Sequence, residues 1–197
     1  MSRPAFRERR VGGRKPKGKR IGIAYDGQRT EDGYFRGWQQ VLAQGKMQVF
    51  PNYVKSGGNP RTAVREAGKL RRRDPDLDEL WCVSDVDDTS ADEILQAVAE
   101  AKRSGINLCL SNRCFEIWLV CHFEKTTRYI SSESDAVALL QPHSDGYSAN
   151  NKAIDFGKLF PLTEVAIANA VWLAEQGHDN PSTEVHRLVA KLFSALG

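Results

Sequence analysis

Short unbroken apolar runs alternate with spaced apolar stripes over the first 110 residues. Arg20–Tyr25 (RIGIAY) reads as a buried strand that stops at Asp26-Gly27. Tyr34, Trp38, Val41 and Leu42 then recur at i, i+4, i+7 and i+8, the spacing of one helical face, with Gly45 as the stop. Met47–Val54 is a second strand. Asn59-Pro60 is a cap followed by a first-turn proline, and it opens a helix through Val64, Ala67 and Leu70. Arg71–Arg73 close that helix with charge that suits its dipole. Glu79–Ser84 is a third strand and runs directly into Asp85-Val86-Asp87-Asp88. Ser90 and Glu93 form a capping box for a third helix ending near Gly105, and Ile106–Leu110 is a fourth strand.

This strand–helix alternation with short connections predicts an α/β fold, a mostly parallel four-stranded sheet flanked by helices. The remaining stripes are helical. Phe115, Trp118, Leu119, His122 and Phe123 make one, Val165, Ala168 and Trp172 a second, and Val185, Leu188, Val189, Leu192, Phe193 and Leu196 a third after Asn180-Pro181. The polar stretch Gln141–Lys152 reads as a loop. Three parts are expected: a flexible arm (1–19), an α/β core (20–125) and a C-terminal helical extension (126–197).

Length and charge refine this picture. A chain of 197 residues with 41% hydrophobic and 27% charged residues supports one sizeable core. No apolar run reaches the roughly 18 residues of a membrane span, and the basic N-terminus has no apolar segment behind it, so a cytoplasmic protein is expected. Cys82, Cys109, Cys114 and Cys121 lack zinc-site spacing and read as reduced, buried thiols. Nine of the 28 basic residues lie within positions 1–20, among them Arg14, Lys15, Lys17, Lys19 and Arg20, with one acid, Glu8. The other 177 residues carry 19 basic and 24 acidic side chains. A cationic arm on an acidic body points to a polyanion, of which nucleic acid is the commonest; the plainer alternative is a solubilising start.

In open α/β sheets, ligands bind beyond the carboxyl ends of the strands. Asp26 follows the first strand there, and Asp85, Asp87 and Asp88 follow the third. Ser111 and Asn112 follow the fourth, with Glu116 one turn later. Converging carboxylates repel one another, and a hard divalent cation, Mg²⁺ or Mn²⁺, removes that cost. Asp85 and Asp87 would point the same way on an extended segment. The alternative is a solvated turn in which Asp87 or Asp88 caps the third helix. His122 shares a stripe with Phe115 and Leu119 and reads as a core histidine.

The stretch Tyr25-Asp26-Gly27-Gln28-Arg29-Thr30-Glu31-Asp32-Gly33-Tyr34-Phe35 resembles the opening motif of the RloB-like (AbiLii-like) family, E-G-x-x-T-E-x-x-Y-F. Val83–Asp88, Ser111–Leu119 with His122-Phe123, and Asn180-Pro181-Ser182-Thr183 are similar to later segments of that family, in order. The resemblance implies a Toprim-like core related to OLD-type nuclease domains. It implies metal-binding acids at Asp26, Asp85 and Asp87, a setting in bacterial anti-phage defence, and an ATPase partner of the AAA or ABC type. Asp26 departs from the family's Glu and is one methylene shorter.

The resulting expectation is Mg²⁺- or Mn²⁺-dependent hydrolysis of phosphodiester bonds in DNA or RNA. Asp26, Asp85 and Asp87 would hold the ion, and Asp88 and Glu116 a second one. Glu31 is the candidate base or second-metal ligand, Arg29 the phosphate contact, and Asn112 the group that orients water or substrate. Two alternatives stand beside it. A catalytically degenerate module would bind nucleic acid or a partner without cleaving, and a homo-oligomer is compatible with either reading. A HAD-type phosphohydrolase fits D-x-D-x-T at Asp85–Thr89, although that pattern belongs after a first strand.

Overall fold

The computed structural model describes residues 18–197 except positions 145 and 149. Arg14, Lys15 and Lys17 therefore lie outside the described residues. The first strand, β1 (Lys19–Tyr25), is buried from Ile21 onward on both faces. A strand covered on both sides is what a continuous apolar run without polar alternation dictates. It pairs in parallel with β2 (Met47–Tyr53) and β3 (Glu79–Asp85), and β3 pairs in parallel with β4 (Asn107–Asn112). Ser182–Thr183 adds β5, antiparallel to the end of β4, giving the order β2-β1-β3-β4-β5.

The four-strand expectation is thus short by one. β5 has two residues, both hydroxylic, so neither alternation nor an apolar run marks it. The region after residue 125 is correspondingly not all helix. β4 also runs two residues beyond its expected end, so Ser111 and Asn112 belong to the strand.

Alternate strand residues feed two cores. Ile21, Ile23, Tyr25, Trp81, Val83 and Cys109 face one side, against α1 (Thr30–Val41), α4 (Glu116–Val120) and the C-terminal helices. Ala24, Leu80, Cys82 and Leu108 face the other, against α2 (Pro60–Arg73) and α3 (Ala91–Arg103). The caps are those expected: Asn59 accepts from the Thr62 amide, and Ser90 with Glu93 closes the capping box of α3. Ser90, not Asp87 or Asp88, caps α3, so the cap reading of those acids fails. All four cysteines are buried and free. His122 is buried between Trp118 and Tyr34, and burial lowers its pKa to about 4.

The C-terminal helices are α5 (Glu133–Leu140), α6 (Phe156–Leu159), α7 (Thr163–Glu175) and α8 (Val185–Phe193). On α7 the buried face is Thr163, Ala166, Asn169, Ala170 and Leu173, whereas Val165 is 45% exposed. The stripe read from the sequence lies on the opposite side. Nine of the thirteen positions of α7 are apolar and they lie on both sides, so periodicity does not distinguish its faces. Among the described residues no helix is long and apolar enough to cross a membrane.

Phe156 joins this C-terminal region to the core. Its ring packs edge-on against Trp38 and Tyr34, over the bare α-carbon of Gly37 on α1. A methyl at Gly37 would lie 2.2 Å from the Phe156 ring. Gly37→Ala gains about 1 kcal/mol of helix propensity but overpacks the joint, which costs about 1–3 kcal/mol. Denaturant unfolding should show net destabilisation; a more stable variant would mean that the ring moves freely.

Candidate active site

The parallel register brings the acids together. Tyr25 pairs with Val83, so Asp26, one residue past β1, sits beside Ser84 and Asp85. Asp85 in turn pairs with Ser111 at the end of β4. After Asp85 the chain does not stay extended. The Val86 amide donates to the Ser111 carbonyl at 2.9 Å, and Asp87 turns left-handed with φ 44°. Asp85 and Asp87 therefore do not form the two prongs expected of a straight strand. The turn nonetheless directs both into one cleft.

That cleft, about 600 Å³, is lined by Asp26, Gly27, Glu31, Gly58, Asp85, Asp87, Cys114, Glu116, Glu133 and Lys152. Among the described residues its wall thus holds six carboxyl groups and one ammonium. Glu31 and Glu116 are 6% and 3% exposed, and Oδ1 of Asp85 is buried without a hydrogen-bond partner. Glu31 folds back so closely on Gly27 that a Cβ there would lie 1.7 Å from its carboxylate; glycine is what admits it.

Other expected residues lie elsewhere. Asp88 is exposed and ion-paired with Arg113, outside the cleft lining. Arg29 lines an adjoining hollow of about 540 Å³ and donates to the Asn150 carbonyl at 3.2 Å. Asn112 lines a groove on the other side, of about 2080 Å³. Lys19 and Arg20 begin β1, about 20 Å from its carboxyl end. They pair there with Glu79 and Asp74.

Several cleft residues escaped the sequence reading. Ser56, in the loop after β2, donates to Oδ2 of Asp26 at 2.5 Å, and Ser84 donates to the same oxygen at 3.3 Å. Tyr147 donates to Glu116 at 2.7 Å. Lys152 lies 2.5 Å from Glu133 and 3.8 Å from Glu116. Position after a parallel strand was a usable signal for Ser56. Tyr147 and Lys152 come from the polar stretch Gln141–Lys152 and Glu133 opens α5, and no motif marks any of them.

Burial dominates the cleft's electrostatics. It raises the pKa of Asp26 against the two serine hydrogen bonds, and that of Asp87 against the Arg113 charge. Glu31 is pushed up to about 8, first by burial and then by Glu116 and Asp26. Asp85 is held well above the usual range by burial and by Glu31, Asp26, Glu116 and Asp87. Two like charges about 4 Å apart repel by about 4 kcal/mol at an effective dielectric near 20, whereas a hydrogen bond returns about 1 kcal/mol. Hydrogen bonds therefore cannot neutralise this cluster; protons or cations must.

A family model for RloB-like protein matches residues 21–192. The chain belongs to the RloB-like family. Among curated proteins and among solved structures, nothing matches it. The match spans the cleft of this RloB-like chain from Asp26 to Lys152, including the C-terminal residues that complete it.

The raised carboxyl groups bind protons more tightly folded than unfolded. Their contribution to stability is therefore present below the ordinary value near 4.5 and is lost as pH rises toward about 8. Each unit of upward shift corresponds to about 1.4 kcal/mol at full ionisation. Without divalent cations, the melting temperature should fall across that window. Asp85→Asn should flatten the fall and stabilise the protein at its upper end. A wild-type stability that rises with pH there would contradict this electrostatic picture.

Proposed function

We propose that this RloB-like chain hydrolyses phosphodiester bonds of nucleic acid with a divalent cation bound in the acid cleft. The observation that carries the reading is the convergence of Asp26, Glu31, Asp85, Asp87 and Glu116, with an unpartnered buried oxygen on Asp85. Among the described residues no three such groups stand as a ready-made coordination shell. The donor set still fits Mg²⁺ or Mn²⁺. It is made of hard carboxylate oxygens, its charge exceeds what Lys152 can balance, and the cost of its crowding is what a cation removes.

Asp26, Asp85 and Asp87 would hold the cation, and Glu116 a second one. A cation held there would supply Lewis-acid stabilisation of the charge that develops in phosphodiester hydrolysis. The chain's own groups divide the remaining work. Lys152, held protonated by Glu133 and Glu116, grips a phosphoryl oxygen. Glu31, resting on Gly27, would accept the proton of the attacking water once a bound cation offsets the neighbouring carboxylates that help to hold it protonated. Arg29, tethered to Asn150, receives the neighbouring phosphate. The Toprim-like relationship, the anti-phage setting and the ATPase partner remain expectations of the resemblance.

One observation favours the binding-module alternative. Oδ2 of Asp26, the residue that replaces the family's Glu, is already taken by Ser56 and Ser84. Cleavage decides between the two. With Mn²⁺, wild-type protein should cut DNA or RNA strands and lose the activity in chelator. Asp85→Asn and Asp87→Asn should each lower the rate by about 10²-fold or more, on the scale of removing one electrostatic catalytic group. Metal-independent cutting, or cutting indifferent to both substitutions, would contradict the proposal. Metal-independent strand binding without cutting would favour the module.

A further inference from the structure

The acid cleft does not end blindly. Gly27, Glu31 and Lys152 are shared with the Arg29 hollow on one side, and Asp87 is shared with the large groove on the other. Through these shared residues the three adjoin as one trough, whose wide arm runs on from the carboxyl edge past β5, between α3 and the end of α7. We infer that its wide arm is the seat of an unpaired nucleotide, with the Tyr129 ring as the base-stacking platform and the Asn112 amide and Arg113 guanidinium beside it. The inference deepens the nuclease reading and rests on it, since it names the substrate as a single strand or an unpaired loop.

Tyr129 carries the argument. Its ring is 68% exposed, packs on no other ring among the described residues, and lines the groove. Its backbone is fixed all the same. The Asn180 side chain accepts from the Ile130 amide at 3.1 Å and donates to the Ile130 carbonyl at 2.8 Å. Ile130 itself is fully buried. An aromatic ring held out on a pinned backbone loses little freedom when a flat partner stacks on it.

The neighbouring groups suit the same ligand. Arg113 is anchored by the Asp88 carboxylate and by the Asp87 carbonyl at 3.3 Å, which places its guanidinium between the acid turn and the groove. Asn112 spends its backbone on Ser182, while its half-buried amide has no partner among the described residues. A free amide offers both donor and acceptor to a base edge. Paired bases already stack on both faces, so a duplex leaves Tyr129 nothing to cover, whereas a strand or loop can splay a base onto it. The burial of Glu31 and Glu116 also asks for a flexible chain that reaches inward.

Leu95 and Val98, 66% and 46% exposed, line another wall of the groove and would equally suit an apolar protein segment. The test separates the two. Fluorescence anisotropy is measured on the full chain carrying Asp85→Asn, to prevent turnover, with Mg²⁺ present. The probes are oligouridylate, oligodeoxythymidylate and each strand in duplex with its complement. Single strands should bind more tightly than duplexes. Tyr129→Ala should weaken strand binding by about 5- to 150-fold, the range for one stacked base, and Tyr129→Trp should restore it. Asn112→Ala should cost about 3- to 10-fold. Duplex affinity should not respond to either position, and the RNA and DNA arms show which sugar is preferred. No strand binding, or binding indifferent to Tyr129, would overturn the inference and leave the groove to a protein. Failure of the nuclease reading would look different: Tyr129-dependent strand binding would persist while wild-type protein with Mn²⁺ cut nothing.

Discussion

Everything at the carboxyl edge of this sheet answers to one constraint. Carboxyl groups are driven into a shared cleft, several of them buried, by the register of parallel strands, and they repel. Asp26 and Asp85 have no freedom to separate, because they extend β1 and β3, which are hydrogen-bonded neighbours. Glu116 opens α4, whose five residues are all buried, so it cannot swing away either. The fold's local features moderate the resulting cost. Ser56 and Ser84 donate to Asp26, Tyr147 donates to Glu116, and Lys152 is drawn in from the C-terminal region.

Such an arrangement is a poor solution for stability alone. Apolar residues at Glu31 or Asp85 would bury without repulsion. Retaining the acids makes sense where a cation completes the site, as the proposed phosphodiester hydrolysis requires. The left-handed turn at Asp87 fits the same logic. That conformation costs about 1–2 kcal/mol for a non-glycine residue, and it brings a second carboxyl into the cleft instead of letting β3 run on.

Much of this was legible in the sequence. The strand runs, the Asn59 and Ser90 caps and the placing of Asp26, Asp85, Asp87 and Glu116 at one sheet edge follow from local patterns with one parallel topology, whereas Glu31 was singled out only beside the family resemblance. What was not legible depended on contacts distant in sequence. β5 is two residues long and exists because β4 offers an edge. The buried side of α7 was misread because both sides are apolar. Asp88 was grouped with its neighbours, yet the turn at Asp87 sends it out to Arg113. Lys19 was assigned to the arm, and Arg20, although read as the first residue of the strand, was counted with the arm's charges as a substrate contact; both lie at the end of β1 opposite the cleft. Tyr147, Glu133 and Lys152 reach the cleft only through packing between distant segments.

The proposal turns on Asp26, Asp85 and Asp87 sharing one divalent ion. Calorimetric titration of Mn²⁺ into the wild type, Asp26→Asn, Asp85→Asn and Asp87→Asn, each first shown to be folded, tests it most directly. Saturable binding by the wild type is expected, weakened about tenfold or more, roughly 1.4 kcal/mol, in every variant. Absence of saturable binding, or binding that all three substitutions leave unchanged, would contradict it.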